Sequence, residues 1–127
     1  MIAVDTSALM AILLDEEAAE VCAATLRTNE RIVISAGTVA EALIVAERRA
    51  LGSEMAALID GLGLEVENVT LAAARRIAES YARWGKGVNP AGLNFGDCFA
   101  YEVATTRECP LLYVGADFAQ TDVSGAL

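Results

Sequence analysis

Three short runs of apolar residues, each far apart in the chain, constrain this sequence most. Met1 to Val4, the Ile32-Val33-Ile34 segment within Arg31 to Ser35, and Leu111 to Val114 have no alternating polar positions. A strand that is apolar on both faces is buried on both faces, which is the signature of a parallel sheet covered by helices. The stretches between these runs have helical lengths and helical start and stop signals. Strand-helix alternation of this kind predicts an α/β fold with a mostly parallel central sheet. In such sheets, ligands sit outside the carboxyl ends of the strands.

The expected elements follow from this frame. Asp5-Thr6-Ser7 caps a short helix, Ala8 to Leu14, and Asp15-Glu16-Glu17 opens a second helix that runs to about Arg27. Helices are expected over Thr38 to Ala50, from Ser53 to about Asp60, from Thr70 as cap to about Trp84, and over Asn94 to Thr106. Leu64 to Val69 alternates apolar and polar residues and predicts a strand with one wet face. Gly85 to Gly92 is the main loop, Gly115 to Ala119 a turn or short helix, and Thr121 onward a weak final strand or tail. At 127 residues the chain predicts a single domain, residues 1–127, with no repeat.

Composition narrows the chemistry. The chain contains no His, so Ser-His-Asp, Cys-His and His-based zinc chemistry are excluded. Cys22, Cys98 and Cys109 are an odd number with no close spacing, which predicts reduced thiols in a cytoplasmic protein. No apolar run approaches the ~18 residues of a membrane span, and the opening residues lack a basic segment, so neither a membrane anchor nor a signal peptide is expected. Against 9 Lys and Arg stand 18 Asp and Glu, giving a net charge of -9. That balance argues against broad electrostatic capture of nucleic acid and favours hard cations such as Mg²⁺, Mn²⁺ or Ca²⁺.

Several acids fall where a parallel sheet would gather them. Asp5 lies just beyond the first strand, and Asp117 just beyond the Leu111 to Val114 strand. Glu41 lies within a helix, with no basic residue three or four positions away. Asp97 is in the first turn of its helix, three residues after Asn94, and Asp122 lies near the end. Each also has a plain structural reading. Asp5 suits a helix cap, Asp117 an Asx-turn, and Asp97 a capping-box partner of Asn94. Glu41 suits a solvated helix face, as does Glu47, and Asp122 a polar tail. Taken together they could form one anionic pocket, whose mutual repulsion a divalent cation would relieve. Arg75, Arg76, Arg83 and Lys86 form a basic strip, although Glu79 is placed for ordinary helical ion pairs with it. Trp84 suits core or interface packing, and Cys98 and Cys109 suit small apolar filling.

Four segments, M-I-A-V-D-T-S-A-L, V-A-E-A-L-I-V-A-E-R-R, L-N-F-G-D-C-F-A-Y and L-L-Y-V-G-A-D-F-A-Q-T-D, together resemble the PIN-domain ribonucleases. The match is closer to the VapC toxins of toxin–antitoxin modules, and L-N-F-G-D-C is the most specific segment. The resemblance implies an α/β/α sandwich and a Mg²⁺- or Mn²⁺-dependent endoribonuclease. It places Asp5, Glu41, Asp97 and Asp117 at the catalytic metal site, with Asp122 as a fifth ligand and Thr6 or Ser7 supporting them by hydrogen bonds. It also implies a homodimer and a cognate antitoxin partner, in a heterotetramer or larger assembly. Where many relatives have a basic or His-containing stretch, this chain has Gly87-Val88-Asn89-Pro90. It has Val114 in place of a frequent Lys, and Ala116 in place of Asn or Asp. These positions bear on how RNA is held, and the four acids are retained.

Three other readings compete. A phosphatase with an Asp nucleophile needs a second acid two residues on, where this chain has Ser7. A phospho-acceptor signalling domain needs a Lys at the end of a late strand, and the only Lys is Lys86 in the glycine-rich loop. A non-catalytic acidic, antitoxin-binding domain is separated from a nuclease only by a metal-dependent RNA cleavage assay.

Overall fold

The computed structural model describes every residue from Met1 to Leu127. Its sheet has four parallel strands, β1 (Ile2–Val4), β2 (Ile32–Ser35), β3 (Glu65–Glu67) and β4 (Leu111–Leu112), in the order β3-β2-β1-β4. The helices are α1 (Thr6–Leu13), α2 (Ala19–Thr28), α3 (Ala36–Glu47), α4 (Gly52–Gly61), α5 (Leu71–Trp84) and α6 (Phe95–Thr106).

The apolar runs are buried on both faces because successive side chains point to opposite sides of the sheet. Ile2, Val4, Ile32, Ile34 and Leu112 enter one core, with Leu9, Cys22, Leu26 and Met55 from the helices. Ala3, Val33 and Leu111 enter the other, with Ile77, Cys98, Tyr101 and Val103 from α5 and α6. The sheet therefore lies between two helical layers, and the expected α/β/α sandwich is the observed fold.

Three elements and one set of ion pairs differ from expectation. Asp15, Glu16 and Glu17 do not open α2: Asp15 takes a left-handed φ of 50° and the chain reverses through all three acids. Only Glu20 lies in the first turn of that helix. The β3 strand is shorter than Leu64 to Val69 and lies at the sheet edge, so Val66 is 52% exposed instead of turned into a core. The β4 strand stops at Leu112 because β1 has already turned into α1. The Val114 N–H then donates to the Ser7 hydroxyl at 3.0 Å in place of a strand partner. The tail forms one parallel bridge, Leu111 with Gly125, which covers the β4 edge. The Arg strip does not pair through Glu79. Arg76 pairs with Glu102 on α6 at 3.3 Å, and Arg83 with Asp122 at 3.4 Å.

Candidate active site

The carboxyl ends of β1 and β2 and the start of α6 converge on one edge of the sheet. Asp5 follows β1 and caps α1, its Oδ2 accepting from the Ser7 N–H at 3.0 Å and the Ser7 hydroxyl at 2.6 Å. Ser7 thereby ties this carboxylate to the end of β4 through Val114. The plain capping role of Asp5 is real, but it uses only one oxygen. The other, Oδ1, is buried and has no partner. Such an atom is costly unless something satisfies it.

Glu41 reaches the same place from α3. Its Oε1 accepts from the Thr6 hydroxyl at 2.6 Å. Glu41 and Glu47 are alike in sequence context, but Glu41 is half-buried and Glu47 is exposed. Two glycines explain the position of Glu41. A Cβ on Gly96 would collide with the Glu41 carboxylate, and a Cβ on Gly37 would collide with the Phe99 ring. Lacking both, α3 and α6 approach closely, and Glu41 lies over the first turn of α6. Neither glycine stands out by residue type, and the one signal in the sequence is the Gly at the second position of α6, inside L-N-F-G-D.

Asp97 is held by the capping box expected for it. Its backbone N–H donates to the Asn94 side chain at 2.8 Å, and its Oδ2 accepts from the Asn94 N–H at 2.9 Å. Asp117 is exposed in the turn after β4, just before a single 3₁₀ turn at Phe118–Gln120.

The electrostatics show which acids share a field. Burial pushes Asp5 up to about 7, opposed by the Ser7 bonds and reinforced by the charges of Asp97 and Glu41. Burial likewise raises Asp97 to about 6, with Glu41 and Asp117 adding to it. Four carboxylates are thus coupled, and Asp122 is not among them. Its Oδ1 accepts from the Tyr101 hydroxyl at 2.5 Å, and its Oδ2 faces Arg83. Its Oδ1 is taken by the phenol and its Oδ2 faces an exposed guanidinium, so this geometry ties Asp122 to α5 and α6 and not to the four acids, unlike the fifth ligand expected of it.

The PIN domain family model matches residues 2–124. The chain is 41% identical over 128 residues to Ribonuclease VapC28 of Mycobacterium tuberculosis, covering 98% of this chain and 96% of that protein. The chain belongs to the PIN domain family, among the VapC ribonucleases. Solved VapC structures share its fold. The Mycobacterium tuberculosis toxin VapC20, described as cleaving the Sarcin-Ricin loop, superposes with a TM-score of 0.77 at 18% identity, covering 97% of this chain and 96% of that one. VapBC2 of Rickettsia felis, bound to a DNA fragment from its promoter, gives 0.69 at 18% identity, covering 98% and 96%.

The donor set of this PIN domain suits a hard divalent cation. It consists of carboxylate oxygens without His or thiolate, and it includes the orphaned Oδ1 of Asp5. No three carboxylates close into one coordination shell. Glu41 is turned to Thr6 and Asp97 to the Asn94 backbone.

Proposed function

We propose that this chain is a Mg²⁺- or Mn²⁺-dependent endoribonuclease, the toxin of a type II toxin–antitoxin module. The observation that carries this reading is the coupled carboxylate cluster around a buried Asp5 oxygen with no protein partner. Asp5, Glu41, Asp97 and Asp117 would hold the cation and perform the catalysis. When bound, the cation supplies positive charge to the RNA phosphate and lowers the pKa of water towards neutrality.

The residues of the chain do the positioning. Thr6 orients Glu41, and Ser7 orients Asp5 while linking it to the end of β4. Asn94 fixes Asp97 at the start of α6, where the helix dipole also favours an anion. Burial of Asp5 excludes water from one side of the cluster, which strengthens the field there.

The chain functions with partners in this proposal. A cognate antitoxin restrains it in this reading, which is supported by the shared fold of a chain from a Klebsiella pneumoniae toxin–antitoxin complex, at a TM-score of 0.71. We also infer a homodimer. A mostly apolar groove of about 420 Å³ between α5 and α6 includes Val69, Tyr81, Phe95 and Phe99, and Phe95 is 71% exposed. The whole of residues 1–127 acts as one domain. No helix is long and apolar enough to cross a membrane.

Digestion of a panel of structured RNAs tests the reading. Cleavage should require Mg²⁺ or Mn²⁺ and stop in EDTA. Full cleavage in excess EDTA, or none under any metal, contradicts it. The second outcome would favour the non-catalytic alternative.

A further inference from the structure

The segment that carries Asp117 is irregular and needs anchoring from outside itself. The β4 strand ends at Leu112, Gly115 takes a φ of +114°, and only one 3₁₀ turn follows. Asp117 does not cap that turn with its side chain. The segment is pinned at Phe118, which is buried with its ring 5.2 Å from that of Tyr113, and again at Asp122.

The Asp122 anchor is a chain of hydrogen bonds through both neighbouring helices. The Trp84 indole N–H, at the end of α5, donates to the Tyr101 oxygen at 3.0 Å. The Tyr101 hydroxyl donates to Asp122 at 2.5 Å. Tyr101 follows Asp97 by four residues on α6, so the two share a helix face. The Arg83 pair with Asp122 is exposed and contributes little. The bond from the buried phenol to the carboxylate is charge-assisted and is the stronger tie.

We propose that Tyr101 and Asp122 are a positioning pair for Asp117: their bond holds the Asp117 turn against the α6 face that presents Asp97, and so sets how tightly the acidic cluster takes a divalent cation. This rests on the cluster being a cation site. Neither residue contacts the cation, and Asp122 acts five residues downstream of the carboxylate it places.

Calorimetric titration of the full chain with Mn²⁺ tests the pair, with circular dichroism melts run alongside. Tyr101→Phe and Asp122→Ala should each weaken Mn²⁺ binding by roughly tenfold, the range seen when residues behind metal ligands are lost. The double variant should be no weaker than either single one, because both break the same bond. Asp122→Asn should lose clearly less affinity than Asp122→Ala, since its amide oxygen still accepts from the phenol, though without the charge. If Asp122 were itself a ligand, Asp122→Asn would be as weak as Asp122→Ala and Tyr101→Phe would bind normally; that pattern overturns the proposal. Lower melting temperatures with unchanged Mn²⁺ affinity would show a purely structural tie and overturn it too. A wild-type chain that binds no Mn²⁺ would instead fail at the cluster itself, and the positioning role would fall with it.

Discussion

Replacing Gly96 by Ala separates the packing of this site from its stability. In an ordinary helix the change is favourable by about 0.5–1 kcal/mol, and by less in the first turn. Here the new Cβ would occupy the place of the Glu41 carboxylate. The backbone of α6 cannot retreat easily. The Asn94–Asp97 capping box holds its start, and Phe99 already fills the space above Gly37. The flexible end of Glu41 therefore moves, and the Thr6 bond is lost. A hydrogen bond to a charged group contributes about 1.5–3 kcal/mol, so the net destabilisation after the helical gain is roughly 1 kcal/mol. For a chain of this size that lowers the melting temperature by roughly 3–5 °C. The functional loss is much larger, because displacing a catalytic group by an ångström costs on the order of 10²-fold in rate. Melting by circular dichroism and RNA cleavage rates measure both. A Gly96→Ala protein that melts at or above the wild type and cleaves at the wild-type rate would refute the seating of Glu41 against Gly96.

Asp5 and Asp97 are raised from 3.8 to about 7 and about 6. Their contribution to stability is therefore fully present below about pH 4 and is lost progressively as pH rises from there through the folded values, to about 6 for Asp97 and about 7 for Asp5, where the shift corresponds to roughly 4 kcal/mol. Melting temperatures in EDTA should fall over that window and fall less in Asp5→Asn, whereas identical pH profiles would contradict the burial argument. Light scattering at micromolar concentration should give about twice the 13.3 kDa chain mass, and a monomer throughout would contradict the dimer.

The sheet was legible in the sequence because strands apolar on both faces leave few alternatives to a covered parallel sheet. Thr70 and Asn94 were legible as caps because a cap is a local hydrogen bond. The elements misread depend on distant neighbours. Val66 alternates correctly in sequence, but an edge strand leaves it exposed. The acids at 15–17 suit a helix start, but a left-handed Asp15 puts them in a turn. At the site, Asp5 and Asp97 could be placed from strand ends and helix starts. Glu41 could not be told from Glu47, because what distinguishes it is the missing side chain of Gly96, some 55 residues further along the chain. Asp122 looked like one more acid until its partners, Tyr101 and Arg83, were in view.

Asp97→Asn distinguishes a cation-dependent RNA-cleaving site of four carboxylates from a set of helix caps, with Mg²⁺-dependent RNA cleavage and thermal stability measured on the same protein. The amide oxygen can still accept from the Asn94 N–H, so the capping box survives, and the lost dipole contribution of about 0.3–1 kcal/mol is offset by relief of the burial and like charge that raise Asp97. The variant should be a folded protein of near-wild-type stability whose cleavage rate falls by orders of magnitude. A folded Asp97→Asn protein that cleaves RNA at close to the wild-type rate would contradict the cation-dependent cleaving site.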